Sequence, residues 1–147
     1  MSLLLKPEHV EQIEREGVAA YPNECCGALL GRDIKSESGT DRHVIELKKL
    51  TNSFVAEEQY HRFSLNPKEY IELEKYAHDA KLLVLGFYHS HPDAPARPSE
   101  YDRQHAWPFY SYAIVSLAKG KPVDLTSWQL EEATEQFKQE EVVKKKL

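Results

Sequence analysis

Cysteine is scarce in this chain: its 147 residues include only two, and these are adjacent, Cys25 and Cys26. Neighbouring side chains on a strand point to opposite faces, so a bridge between the two is geometrically poor, and a disulfide framework is excluded. They read as small buried hydrophobes of a reducing compartment; a thiol tuning a nearby site is the sharper alternative. No apolar run approaches the roughly 20 residues of a membrane span, and residues 1–6 are too short and wrongly flanked for a signal peptide, so a cytoplasmic protein is expected. A basic stripe is also missing. With a formal net charge of −5, nucleic acid is a poor main partner, and Lys144, Lys145 and Lys146 read as a solvated tail. Repeats and low-complexity linkers are absent too. A chain of this length, 41% hydrophobic, holds one real core and no second ordinary domain. The expected organisation is one domain over residues 1–135 and a charged tail over 136–147.

The pattern along the chain alternates helix and strand. Pro7 near a helix start, with Val10, Ile13, Val18 and Tyr21 loosely periodic, predicts a first helix ending near Pro22. Residues 25–30 read as a buried strand, 33–41 as a polar surface turn and 43–47 as an alternating second strand, a hairpin-like pair. Asn66-Pro67 signals a second helix, with Tyr70, Ile71, Leu73, Tyr76 and Ala77 as its stripe up to about Ala80. The run from Leu82 to Tyr88 is a buried strand, and residues 111–117 and 123–128 are two more, joined through Lys119-Gly120-Lys121-Pro122. This order implies an α/β domain with a curved, mixed and largely antiparallel sheet flanked by helices.

Chemistry concentrates at His89-Ser90-His91-Pro92, followed by Ser99 and Asp102. A strand's period of two points His89 and His91 to one face at the strand end. Pro92, Pro95 and Pro98 forbid regular pairing beyond, so the chain leaves the sheet in a loop before ordered structure restarts at Ser99. Asp102 then supplies a third ligand. Two imidazoles and a carboxylate suit one divalent zinc ion at about 2 Å each, and three protein ligands leave the fourth tetrahedral position open to water, as catalysis requires. Glu24, where an amphipathic segment gives way to an apolar strand, is the candidate base. Ser99 carries two compatible readings. It starts a capping-box variant with Asp102 at its third position, and its hydroxyl can donate to a carbonyl oxygen that gains charge.

Glu24 with the Cys-Gly-x-Leu-x-Gly segment after it, and His89-x-His91-Pro92-x6-Ser99-x2-Asp102, resemble the JAMM (MPN+) metalloprotease family, and most closely its compact bacterial members. The resemblance spans most of the chain. It implies a deaminase-like α/β fold with the metal at one sheet end, His89, His91 and Asp102 as zinc ligands, and Glu24 and Ser99 as catalytic residues. It also implies a substrate with a flexible Gly-Gly tail, hydrolysed after the second glycine. In compact bacterial members that tail typically belongs to a ubiquitin-fold sulfur-carrier protein, and cysteine or masking residues are released. A deubiquitinase-like isopeptidase is one alternative, although residues 103–110 leave little room for a long insertion. The other is a non-catalytic interaction module; such relatives usually lose ligand residues that this chain retains. The His-x-Glu and Cys-x-x-Cys signature of nucleobase deaminases is missing, and an amidohydrolase barrel needs about 250 residues.

The remaining groups have plainer readings. His9, His43, His61 and His78 are polar trim, and His105, one turn beyond Asp102, is a surface residue or a partner of that ligand. Asp93 is expected to turn away at Pro92. The aromatic cluster of Trp107, Phe109, Tyr110 and Tyr112 reads as core or interface and, with an exposed edge, could support a homodimer. Residues 52–65 could add an edge strand that pairs with a substrate tail, or form an ordinary loop and core strand.

Overall fold

The computed structural model describes residues 2–37, 39–50 and 67–144. Along them run β1 (Ser2–Leu5), α1 (Pro7–Ala20), β2 (Cys26–Ser36), β3 (Gly39–Lys49) and α2 (Pro67–Asp79), then β4 (Leu83–Pro92), α3 (Glu100–His105), β5 (Ser111–Ala118), β6 (Lys121–Glu131) and β7 (Gln136–Lys144). The strands hydrogen-bond in the order β1-β3-β2-β4-β5-β6-β7, and β7 returns to β1. Parallel pairing joins β1 to β3, β1 to β7 and β4 to β5; the other pairs are antiparallel.

The sheet is therefore a closed barrel, where a curved mixed sheet flanked by helices was expected. Closure rests on β1, whose residues Ser2 to Leu5 pair with β7 on one side while Ser2 to Leu4 pair with β3 on the other. Leu3 and Leu5 are fully buried there. A strand of four residues is too short to show a period, so the sequence offers no alternation to detect it by. The segment expected as a charged tail likewise contributes β7. Lys138, Glu141 and Lys144 are exposed along Gln136–Lys144, while Phe137, Glu140, Val142 and Val143 are half-buried. Strands β2 and β3 form the expected hairpin but run longer than the apolar stretches, because their far halves are solvated and carry no apolar signal. The proposed edge strand over residues 52–65 lies outside the described residues.

Two apolar layers pack on opposite faces of the sheet. On the α1 side, Val10 and Ile13 meet Leu29, Tyr88, Ala113 and Val115. Gly17 brings this helix close: a Cβ there would lie 3.3 Å from Leu117 Cδ1 and 3.5 Å from Ser90 Cβ. On the α2 side, Leu73 and Ala77, one helical turn apart, meet Cys26, Ala28, Leu30 and Phe87. Ile71 and Tyr76 of the expected stripe are exposed. Tyr88 passes over β2 where Gly27 leaves room, since a Cβ there would stand 2.1 Å from the Tyr88 ring, and its hydroxyl donates to Glu16 of α1 at 2.7 Å. Strand β4 thus has both faces covered, by α1 and by α2. No helix among the described residues is long and apolar enough to cross a membrane.

Because β7 seals the barrel against both β6 and β1, a chain ending at Glu135 leaves two open edges and uncovers Leu3 and Leu5. We expect that truncation to cost several kcal/mol and to abolish a cooperative melt followed by circular dichroism; an unchanged melting temperature would refute the closure.

Candidate metal centre

The centre follows from the period of β4. Tyr88 and Ser90 face α1, whereas Phe87 joins the α2 layer on the opposite face, and His89 and His91 continue that face at the strand end. Both histidines are buried. After Pro92 the chain loops out and returns as α3, whose N-cap is Ser99. The Ser99 Oγ accepts the Asp102 N–H at 3.0 Å, and Asp102 Oδ2 accepts the Ser99 N–H at 2.8 Å. This reciprocal box holds one carboxylate oxygen rigidly over the strand end.

That oxygen and the two imidazoles form a compact triangle. His89 Nε2 to His91 Nε2 is 3.0 Å, His91 Nε2 to Asp102 Oδ2 is 3.1 Å, and His89 Nε2 to Asp102 Oδ2 is 3.4 Å. Ligands about 2.0 Å from a tetrahedral ion stand about 3.3 Å apart, so the edges already match one face of such a site. Among the described residues this is the only group of three or more His, Cys, Asp or Glu side chains so placed. His91 is further oriented by Nδ1, which lies 2.8 Å from the Pro95 carbonyl oxygen. A carbonyl only accepts, so Nδ1 carries a proton and Nε2 faces the triangle.

The charges in the triangle depend on each other. Burial pushes Asp102 up, but the His89 imidazole and the hydrogen bonds from His89, His91 and the Ser99 N–H outweigh it and hold the carboxylate well below its usual range. Burial pulls His91 down, but Asp102, the Pro95 carbonyl and Glu24 leave it raised. Burial prevails at His89 and keeps it below the ordinary value. A dication in the triangle would displace protons from such a set, which makes metal uptake proton-linked.

Glu24, 6% exposed, stands beside these groups. Its carboxyl is pushed up to about 8, chiefly by burial, with His91 opposing and Asp102 adding to the rise. Oε1 has no hydrogen-bond partner among the described residues. A buried carboxylate oxygen without a partner is costly, and a metal-site water is the kind of partner that would satisfy it. Glu24 is positioned by its neighbour. The Cys25 N–H donates to Ser90 Oγ at 2.8 Å, and the Ser90 N–H donates to the Cys25 carbonyl at 3.2 Å. Ser90, between the two ligands and on the opposite face, is a positioning residue that sequence reasoning passed over; its place inside His-x-His was the available signal.

The other expectations resolve as follows. Ser99 is exposed, with an acceptor site used by the cap and its hydroxyl proton left to donate. Asp93 turns away from the triangle: it accepts from the Tyr21 hydroxyl and from the Lys119 N–H. His105 is exposed and stacks on Tyr101, with ring centroids 4.0 Å apart. Cys25 and Cys26 are free and buried, and burial pushes their thiols up to about 11 and about 12, which makes them poor nucleophiles.

A mixed β-sheet packed with helices, together with the relatives below, makes this a JAMM/MPN-type protein. Within that class the chain belongs to the prokaryotic homologs of the JAB domain, which it matches over residues 6–131. It is 38% identical over 104 residues to a desampylase of Haloferax volcanii, covering 69% of each chain. It is 30% identical over 99 residues to tail tip assembly protein K of Escherichia phage N15, covering 67% of this chain and 34% of that protein, so it spans about a third of the phage protein. The solution structure of a protein from Desulfitobacterium hafniense is similar over 100% of this chain and 94% of that one, at 32% identity and a TM-score of 0.80. A JAB1/MPN domain protein from Archaeoglobus fulgidus shares the fold, with a TM-score of 0.54 at 20% identity over 98% of this chain and 100% of that one.

Two outcomes test this arrangement. Glu24 holds its proton in the folded chain up to about pH 8, whereas the same group unfolded ionises near its ordinary 4.5, so stability falls as pH rises between those values. In the metal-free protein, Glu24→Gln should raise the stability at pH 7.5 by on the order of 1–4 kcal/mol at about 1.36 kcal/mol per unit, seen as a higher melting temperature, with little gain at pH 4.5; a gain independent of pH would contradict it. Ser90→Ala should cost roughly 1–3 kcal/mol by stranding the Cys25 N–H, while metal affinity measured by competition with a chromogenic chelator stays within about twofold.

Proposed function

We propose that this chain is a zinc metallopeptidase hydrolysing the amide after the C-terminal Gly-Gly of a ubiquitin-fold protein, and that the substrate is a sulfur-carrier protein bearing cysteine. The triangle of three ligand atoms 3.0 to 3.4 Å apart carries this reading. Glu24 beside it, with an oxygen left unpartnered, supports catalysis over simple metal storage. The relation to a desampylase, which acts on ubiquitin-like protein conjugates, supports the substrate class. Two buried free thiols suit a reducing cytoplasm, where we place the reaction.

His89, His91 and Asp102 would hold the zinc ion. When bound, zinc polarises a carbonyl and acidifies water near neutral pH. Glu24 takes a proton from the attacking water and delivers it to the nitrogen as the C–N bond breaks, one group used as base and then as acid. Its burial favours the protonated form that returns the proton, and a bound dication beside it would favour the carboxylate that takes one. Ser99, whose hydroxyl proton is left over by the cap, donates to the carbonyl oxygen as that oxygen gains charge. His91 stays oriented through Pro95, and Ser90 keeps Glu24 at the strand end.

The test is intact-mass analysis of a Gly-Gly carrier extended by cysteine. The zinc-loaded protein should release cysteine after the second glycine. Glu24→Gln should keep its zinc and lose at least about 100-fold in rate, whereas His89→Ala should lose both metal and rate. Cleavage by Glu24→Gln at the unmodified rate would remove Glu24 from the mechanism; zinc binding without any cleavage would favour a non-catalytic interaction module.

A further inference from the structure

A cavity of about 210 Å³ opens against the metal centre, sharing His89 and Asp102 with it. The parallel pairing of β4 and β5 builds its floor: Phe87 lies beside Tyr112, and His89 lies beside Ile114. Phe137, on the closing strand β7, meets Tyr112 edge-on at 5.9 Å, and Trp107 and Tyr101 complete the wall. The Tyr112 hydroxyl is occupied by the Trp107 N–H at 2.8 Å. Asp102 is the single carboxylate in the lining, and it is committed to the two histidines and the α3 cap. Among the described residues a cationic occupant finds no free carboxylate here, whereas an apolar one finds aromatic faces.

Volume and position narrow the occupant. A cavity of roughly 150 Å³ holds a benzene molecule, and pockets for drug-sized ligands begin at roughly 300 Å³, so 210 Å³ suits one ring or one branched aliphatic side chain. Because the cavity shares two metal ligands, that side chain belongs to a residue adjoining the scissile bond. The acyl side ends in glycine under the function proposed above, on which this step rests, and glycine has no side chain to offer.

We infer that the cavity receives the apolar side chain of the residue that carries the leaving amine, and that the enzyme discriminates for apolar over small or charged leaving residues, accepting cysteine and filled best by a phenylalanine- or leucine-sized side chain. Cysteine fits and underfills the site. Filling it favours the larger residues by roughly 10- to 100-fold.

Two measurements test this, one without turnover. In ¹H–¹⁵N correlation spectra of the zinc-loaded protein, phenylalaninamide should shift the amide signals of Tyr101, Trp107, Tyr112 and Phe137 at concentrations where alaninamide does not, and Trp107→Ala should weaken the effect. In hydrolysis of Gly-Gly carriers extended by phenylalanine, leucine, cysteine, alanine or aspartate, kcat/KM should be 10- to 100-fold higher for phenylalanine and leucine than for alanine and aspartate. Trp107→Ala, at a half-exposed rim position where folding is safe, should pull the phenylalanine-to-alanine ratio several-fold toward one. Rates indifferent to the added residue overturn the cavity assignment and leave the peptidase reading standing. Selective phenylalaninamide binding without cleavage of any carrier overturns the peptidase reading and supports the cavity's selectivity; equal binding of both amides overturns that selectivity.

Discussion

A β-strand shows alternate side chains to opposite faces, and β4 places every demand of the molecule on that alternation. Tyr88 and Ser90 face α1, where the tyrosine hydroxyl reaches Glu16 and Ser90 sits against Gly17. Phe87, His89 and His91 belong to the other face, where the α2 layer gives way to the metal centre. With β2 antiparallel on one edge and β5 parallel on the other, β4 has no freedom to slip. A shift of one residue would bury the imidazoles against α1 and turn Ser90 into the ligand position. The two core layers and the site therefore share one register.

The same register delivers Glu24. Strand β2 pairs Cys26 with His89, and the bonds between Cys25 and Ser90 carry the pairing one residue further, so the chain before β2 arrives at the strand end with its carboxyl already buried. Burial there raises the carboxyl to about 8, a cost to the folded state at neutral pH. Asp102 shows the opposite tuning a short distance away, held ionised by two imidazoles and a backbone N–H. Two carboxyl groups are thus driven apart in their proton affinity by different surroundings.

Barrel closure links the far end of the chain to this centre. Strand β7 pairs with β1 and β6, and its Phe137 leans on Tyr112, which stands beside Phe87 two residues before His89. The aromatic contacts continue from Phe87 through Tyr110 and Trp107 to Tyr70 on α2. Edge-on ring contacts of this kind are directional, so they fix the wall of the cavity against the histidine pair.

The candidate ligand cluster was legible in the sequence because its members are local: His89 and His91 lie within one strand period, Asp102 lies one helical turn after an N-cap, and prolines mark the loop between. The two helices and the apolar parts of five strands were legible for the same reason, since each carries its own period or punctuation. Glu24 was legible through resemblance alone, for nothing near it announces that a strand 65 residues later will bury it. Closure was not legible, because Ser2–Leu5 is too short for a pattern and Gln136–Lys144 too charged to look apolar. Ser90's grip on Cys25, the pairing of Phe87 with Tyr112 and the arrival of Phe137 all depend on inter-strand register. Register is decided by contacts between distant segments, whereas sequence alone determined the local elements and the candidate ligand cluster; only the folded barrel decided what surrounds them.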